Sequence, residues 1–334
     1  MIELTDTTSA AIAAEFVRAR TRAGSPAMGM VLTLVFVVDE EQATQAMETA
    51  REASQEHPAR VLGVILGNGR GAGRVNAQVG IGDGWAGETA LIRLTGEAAK
   101  HPESVVLPLL LPDSPVVVWW PVDAPADPAS DPLGALAQRR ITDSAAATKA
   151  RAQALHTQCT AYTRGNTDLA WTRLTPWRAL LAAALDQSPA KVTAARVSAE
   201  RINPSADLLV AWLADRLKVP VERTVSDGPG LTEVELTTRS GPVRITRTDG
   251  RLATFATPAH PDRPIALKRR TPHELLAEEL RRLDEDDVYA ATVRALTKTA
   301  TKTAGKRTTA KKAAPKTAAK KTAAKKATAK KAGR

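Results

Sequence analysis

The residues able to do chemistry are few and unevenly placed. The densest set is Val116-Val117-Val118-Trp119-Trp120-Pro121, followed by Asp131-Pro132-Leu133-Gly134 and Arg139-Arg140-Ile141-Thr142-Asp143-Ser144. Tryptophan and arginine are frequent anchors of protein interfaces. Adjacent residues of a strand point to opposite faces, so one of Trp119 and Trp120 is expected in the core and the other outward. Arg139 or Arg140 can pair with Asp143, or hold a phosphate or sugar acid beside a strand end. Trp119, Trp120, Arg139, Arg140 and Asp143 thus admit three readings: core, partner surface or ligand site.

Other chemistry is weaker. Cys159 follows His156 by three residues, a spacing that shares one face of a helix, yet no orienting acid or oxyanion motif accompanies them. As the only cysteine, Cys159 excludes a disulfide scaffold, a structural zinc site and a CxxC redox pair. The histidines at 57, 101, 156, 260 and 273 lie far apart; His57, His101 and His260 precede prolines and His273 follows one, which are turn and cap positions. Gly67-Asn68-Gly69-Arg70-Gly71-Ala72-Gly73 follows a strand pattern, as a phosphate loop does, but a strand pattern rather than a helix comes next. A hairpin loop is the expectation there. No catalytic residue, cofactor-binding residue or metal ligand is assigned, and no cofactor is expected.

Charge separates the chain into two parts. Residues 298–334 hold twelve lysines, two arginines and no acid, which leaves 33 basic against 36 acidic residues in the first 297, a net of −3. The whole-chain charge of +11 therefore belongs to a segment of Lys, Ala and Thr in which Lys311-Lys312, Lys320-Lys321, Lys325-Lys326 and Lys330-Lys331 stand in pairs. Such a segment cannot bury enough apolar surface to offset its ordering entropy, so disorder is expected. Lysines without interleaved aromatics suit nonspecific binding to DNA or another polyanion, by counterion release and without base readout.

These residues need a scaffold, and the hydropathy pattern supplies one. Met30 to Val38 is a nearly continuous apolar run, the pattern of a strand covered on both faces. Asp39, with Gln42 three residues on, is read as the cap of a helix carrying Ala43, Ala46, Met47, Ala50 and Ala53 on one face. Strands are expected over 60–66, 74–80, 88–94 and 115–120. Beyond Tyr162 the pattern restarts, with a helix from Thr175-Pro176, a strand over 191–201, a helix from Asn203-Pro204 and a strand over 219–225. A meander over 232–238, 243–248 and 251–257 follows, then a final helix with a capping box at Thr271-Pro272-His273-Glu274.

The fold class is therefore α/β (α+β), with mixed-sheet domains over 1–165 and 166–297 and a disordered basic tail over 298–334. No membrane role is expected, because Val105 to Val122 contains Asp113 and the prolines Pro108, Pro112, Pro115 and Pro121. Acidic residues in Met1-Ile2-Glu3-Leu4-Thr5-Asp6 oppose a secretory signal, and the composition suits a cytoplasmic protein.

Longer motifs add to this reading. Met28-Gly29-Met30-Val31-Leu32-Thr33-Leu34, Glu56-His57-Pro58-Ala59-Arg60, the run Ser104 to Pro121 and the run Asp131 to Asp143 closely resemble the bacterial glucose-6-phosphate dehydrogenase assembly protein family, OpcA. The resemblance spans nearly all of residues 1–297, while the tail resembles the C-terminal tails of linker-histone-like proteins. It implies a non-catalytic partner that assembles or activates glucose-6-phosphate dehydrogenase and raises NADPH supply from the oxidative pentose phosphate pathway. It brings no catalytic residues, so the interface positions rest on the Trp/Arg argument alone. Two rivals remain, a sugar-phosphate-binding enzyme and a nucleoid-associated DNA-binding protein; the net charge of −3 outside the tail opposes the second.

Overall fold

The computed structural model describes residues 1–23, 29–81, 87–187, 190–258 and 260–298. The chain opens with β1 (Ile2–Leu4) and α1 (Ser9–Ala23), whose Ile12 and Phe16 sit one helical turn apart and are both buried. Then β2 (Leu32–Val38) buries every side chain, because it runs parallel to a neighbour on each side and is covered above and below. Leu32, Leu34, Phe36 and Val38 supply one core, and Val35 and Val37 the opposite one, at the two-residue period of a strand. Asp39 makes no side-chain cap bond; a short 3-10 turn, Glu40–Gln42, intervenes before α2 (Ala43–Ser54).

β3 (Ala59–Leu66), β4 (Arg74–Ile81) and β5 (Glu88–Thr95) follow, then α3 (Pro102–Val106), β6 (Val116–Trp119), β7 (Arg139–Thr142), α4 (Ala154–Thr160) and β8 (Asn166–Asp168). The strand order is β1-β4-β5-β3-β2-β6-β7-β8. From β5 to β8 every pairing is parallel; β4 on β5 and β1 on β4 are antiparallel. The glycine loop over 67–73 is therefore not a hairpin, since β5 lies between β3 and β4. It folds onto the end of β5, with Gly96 N–H donating to Asn68 O at 2.7 Å. A Cβ at Gly96 would stand 2.0 Å from Ala72 O, so the close approach requires glycine.

α5 (Leu169–Thr172) and α6 (Thr175–Gln187) lead to a second sheet of β9 (Val192–Ala199), β10 (Val221–Val225), β11 (Leu231–Thr238), β12 (Gly241–Thr246), β13 (Leu252–Thr257) and β14 (His260–Ala266), ordered β10-β9-β11-β12-β13-β14. β9 and β10 are parallel, joined by α7 (Pro204–Leu217), and the meander runs one strand beyond expectation, to β14. Trp177, Leu181, Leu209 and Leu213 cover one face together with Tyr289, Val293 and Leu296 of a helix over 287–298 that the sequence pattern did not announce. The other face carries the ladder Arg196, Glu235 and Arg244.

α8 (Pro272–Leu280) has the expected capping box at Thr271 and Glu274. It does not pack on the meander. Leu275, Leu276, Ala277 and Leu280 instead join Ala43, Ala46, Ala50 and Ala53 of α2 over the first sheet. A polar contact from His273 to Glu52 and an ion pair from Arg281 to Glu56, both 2.6 Å, flank the contact. Met1–Leu296 form one compact unit, and among the described residues no helix is long and apolar enough to cross a membrane.

Because Leu276 is fully buried between α2 and the sheet, Leu276→Ala should cost about 3 kcal/mol in urea unfolding, as truncated core leucines do. A loss below about 1 kcal/mol would show that α8 is not a structural part of the first sheet.

Candidate functional site

β2 and β6 are neighbours whose connections leave in opposite directions, toward β3 and toward β7. In open α/β sheets such a reversal opens a crevice beyond the carboxyl ends of the strands, where ligands settle. Here it is a cleft of about 250 Å³ lined by Val38, Asp39, Trp120, Asp123, Asp131 and Lys149 among others. Its chemistry is acidic. Asp39, Glu40 and Glu41 occupy the turn where a dinucleotide fold places glycines and free amide donors; Glu40 is paired with Arg93, and Asp39 and Glu41 leave like charge for a pyrophosphate to meet.

Asp123 accepts N–H bonds from Thr148 at 2.8 Å and Lys149 at 2.9 Å, and one from the Thr148 hydroxyl. Burial pushes its carboxyl up, but the Thr148 hydroxyl, the two N–H groups and the Lys149 charge together bring it below the usual carboxylate range. At Asp131 burial wins. Its carboxyl stays above the usual range despite N–H bonds from Gly134 and Leu133, with Glu103 adding to the rise.

The five residues expected at a partner surface are all buried: Trp119, Trp120, Arg139, Arg140 and Asp143 are each at most 7% exposed. Trp119 faces α2 and α8 with its ring edge-on to Phe36 at 6.4 Å, and Trp120 faces the opposite core with Leu133 and Ala137. The expected alternation holds, but the outward side chain does not, because helices cover both faces of a parallel sheet.

The expected pairing of Asp143 with Arg139 or Arg140 is also corrected. Asp143 takes both guanidinium arms of Arg173 at 2.8 Å, thirty positions away. Arg139 donates to Glu279 on α8 at 2.7 Å, and the Thr172 hydroxyl donates to the same carboxylate at 2.6 Å. Arg140 has no acid; it donates to Asn166 Oδ1 at 2.6 Å and to Ala137 O at 2.7 Å. No local spacing announces a partner 30 or 140 positions distant, which is why the bidentate pair and the strand-to-helix pair escaped the sequence.

Asp168 was also missed, although an Asp just before a short apolar helix is a recognisable cap. It accepts from Ala170 N–H at 2.8 Å, Thr142 Oγ1 at 2.7 Å, and Ser144 N–H and Oγ at 3.0 Å. Burial, with the nearby Asp143 charge, raises its carboxyl to about 6 in spite of these donors. The Cys159 and His156 side chains do not share a face: Cys159 is buried and His156 exposed. Burial, then the Asp168 charge, pushes the thiol up to about 12, so a reactive thiolate is not present at neutral pH. Among the described residues no group of three or more His, Cys, Asp or Glu could hold a metal. Lys311, Lys312, Lys320, Lys321, Lys325, Lys326, Lys330 and Lys331 lie outside the described residues.

Residues 50–159 match the family model described as glucose-6-phosphate dehydrogenase subunit N-terminal domain, and residues 164–293 the one described as its C-terminal domain. The chain belongs to the OpcA family. The family's name ties OpcA chains to glucose-6-phosphate dehydrogenase and its assembly. No curated protein matches the chain. Among solved structures it is similar to a 3-ketoreductase from Actinomadura kijaniata in complex with TDP-benzene and NADP, at 11% identity and a TM-score of 0.45, covering 80% of this chain and 95% of that one. A trehalose-6-phosphate structure from E. coli bound with UDP-2-fluoro glucose gives 13% identity and a TM-score of 0.24, covering 59% of this chain and 65% of that one. Neither likeness bears on the chemistry of the OpcA chain.

Asp168 should give this OpcA chain a pH signature. The folded state holds its proton up to about pH 6, whereas an unfolded Asp releases it near ~3.9, so this group's contribution to stability falls as pH rises between those values and is constant above. Urea unfolding across that range should show wild type losing stability relative to Asp168→Asn up to about pH 6. A wild-type-to-variant difference that ignores pH would remove Asp168 as the titrating group.

Proposed function

We propose that this chain is a non-catalytic assembly factor and activator of glucose-6-phosphate dehydrogenase, working in the cytoplasm and supporting NADPH production in the oxidative pentose phosphate pathway. The observation that carries the reading is the pair of family models running through residues 50–159 and 164–293. The carboxylates of Asp39 and Glu41 support it, because negative charge at that turn disfavours a pyrophosphate. The buried thiol of Cys159 supports it as well.

An activator shifts an enzyme only by binding one of its states better than another, since equal affinity for both changes nothing. In this reading Trp119, Trp120, Arg139, Arg140 and Asp143 serve the partner indirectly. Arg140 holds the carbonyls of Gly134, Ala137 and Arg164, and Arg139 holds Glu279 of α8, so the turns around them keep one shape. A preformed surface spends less binding energy on its own ordering.

A second contact, of the tail with DNA or another polyanion, is favoured by the segregation of charge: fourteen positive charges and no acid over 298–334, against a net of −3 before it. Counterion release rewards such a segment wherever phosphates are dense.

Mixing the purified chain with its cognate dehydrogenase should raise the rate of NADPH formation and give a co-eluting complex on a sizing column, while the chain alone forms no NADPH. Absence of both a complex and a rate change across substrate concentrations would end the proposal.

Deleting residues 298–334 should abolish DNA binding in a mobility-shift titration and leave dehydrogenase activation intact. For the full chain, log affinity should fall with log salt by about 0.9 per phosphate contacted. DNA binding retained after deletion, or activation lost with the tail, would refute the separation of the two roles.

A further inference from the structure

The start of α7 faces a second recess. Asn203 caps the helix by accepting the Ala206 N–H at 2.9 Å, and Ser205 Oγ donates to Ala170 O at 2.7 Å. The recess, about 180 Å³, is also lined by Arg173, Arg247, Lys268, Arg269 and Arg270. Three of these cations are neutralised: Arg173 by Asp143, Lys268 by Glu274 and Arg270 by Glu278. Arg247 and Arg269 form no ion pair among the described residues.

Arg247 is the unusual member. It is only 6% exposed, lies over the Trp177 ring at 5.0 Å, and donates its Nη atoms to Leu267 O at 2.9 Å and Leu231 O at 3.1 Å. Its Nε is buried without a partner. Burial, reinforced by the Arg269 charge and only partly offset by Asp249, pulls its pKa down to about 10. Burying a guanidinium without a carboxylate is costly, and arginines in proteins are rarely left so. Gly230, which lines the recess beside Arg269, has a φ of +70°, a conformation that favours glycine.

We propose that this recess binds a small phosphate-bearing dianion, with Arg247 and Arg269 supplying the unmatched charge and the first turn of α7 the dipole. Two guanidiniums without an ion-paired carboxylate match a doubly charged ligand better than a single carboxylate; the exposed fork of Arg269 suits phosphate oxygens, while Arg247, its Nη atoms held by Leu267 O and Leu231 O, contributes charge. The volume argues for a phosphate group or a compact phosphomonoester rather than a dinucleotide, since cavities for larger ligands run from roughly 300 to 1,000 Å³. The inference is independent of the dehydrogenase partnership.

Calorimetric titration of the full chain at constant ionic strength tests it, with inorganic phosphate in one arm and glycerol phosphate in the other. Saturable one-to-one binding is expected in at least one arm, displaced by sulfate but not by chloride; the tighter arm names the source. Arg269→Ala, an exposed position that leaves the core intact, should weaken binding at least tenfold. Arg247→Gln, which removes the charge and keeps a donor for the carbonyls, should weaken it too while circular dichroism stays unchanged. Titration without saturation in both arms, or undiminished affinity in Arg269→Ala, would overturn the site and assign any residual phosphate uptake to the tail lysines.

Discussion

A parallel sheet cannot leave a face to water, and that constraint organises this molecule. The parallel block from β5 to β8 is covered on one side by α1 and α3, and on the other by α2 and α8. The last of these arrives from residue 272, after the chain has built a second sheet. Ala43, Ala46, Ala50 and Ala53 make its arrival possible, because their small side chains let Leu275, Leu276 and Leu280 settle close to the sheet. Once both faces are closed, Trp119 and Trp120 have only interiors to point into.

Closing the faces also seals charged groups inside, and each then needs a partner brought by the fold. Arg139 finds Glu279 because α8 docks where it does, and Asp143 finds Arg173 because α5 ends beside β7. Removing one partner from a buried pair costs about 3–5 kcal/mol, far more than the pair adds over an apolar substitute, so such pairs select a docking register more than they stabilise it. Arg140 solves the same problem without an acid, by donating to Asn166 Oδ1 and to main-chain carbonyls. The buried polar belt thus ties residues near 140, 170 and 280 into one arrangement.

Local patterns carried most of the elements into view. The unbroken run at β2, the alanine stripe of α2, the Asn203 and Thr271 caps and the strands of the meander were all legible, because each is decided within about ten residues. What escaped was decided by distance along the chain. The glycine loop reads as a hairpin until β5, twenty residues later, inserts between its two strands. The outward tryptophan fails because the helix that covers Trp119 lies more than 150 positions away. Asp143 kept its ion pair but changed its partner, a substitution that residue types alone cannot foresee. Arg247 was invisible for the opposite reason: a single arginine just past a strand has no signature until burial leaves it without an ion-paired carboxylate.

Electrostatics then separate what the strand order leaves open. A reversal between two parallel strands is the usual place for a ligand, and the same sheet serves many chemistries. In this chain that crevice is ringed by Asp39, Asp123 and Asp131, with Lys149 as the cation in its wall. The unmatched positive charge sits instead at the start of α7, beside Arg247 and Arg269. For a phosphorylated molecule, local charge disfavours the first place and favours the second. The ends of β2 and β6, rather than the strand order of the sheet, therefore set the charge that a ligand would meet in that crevice.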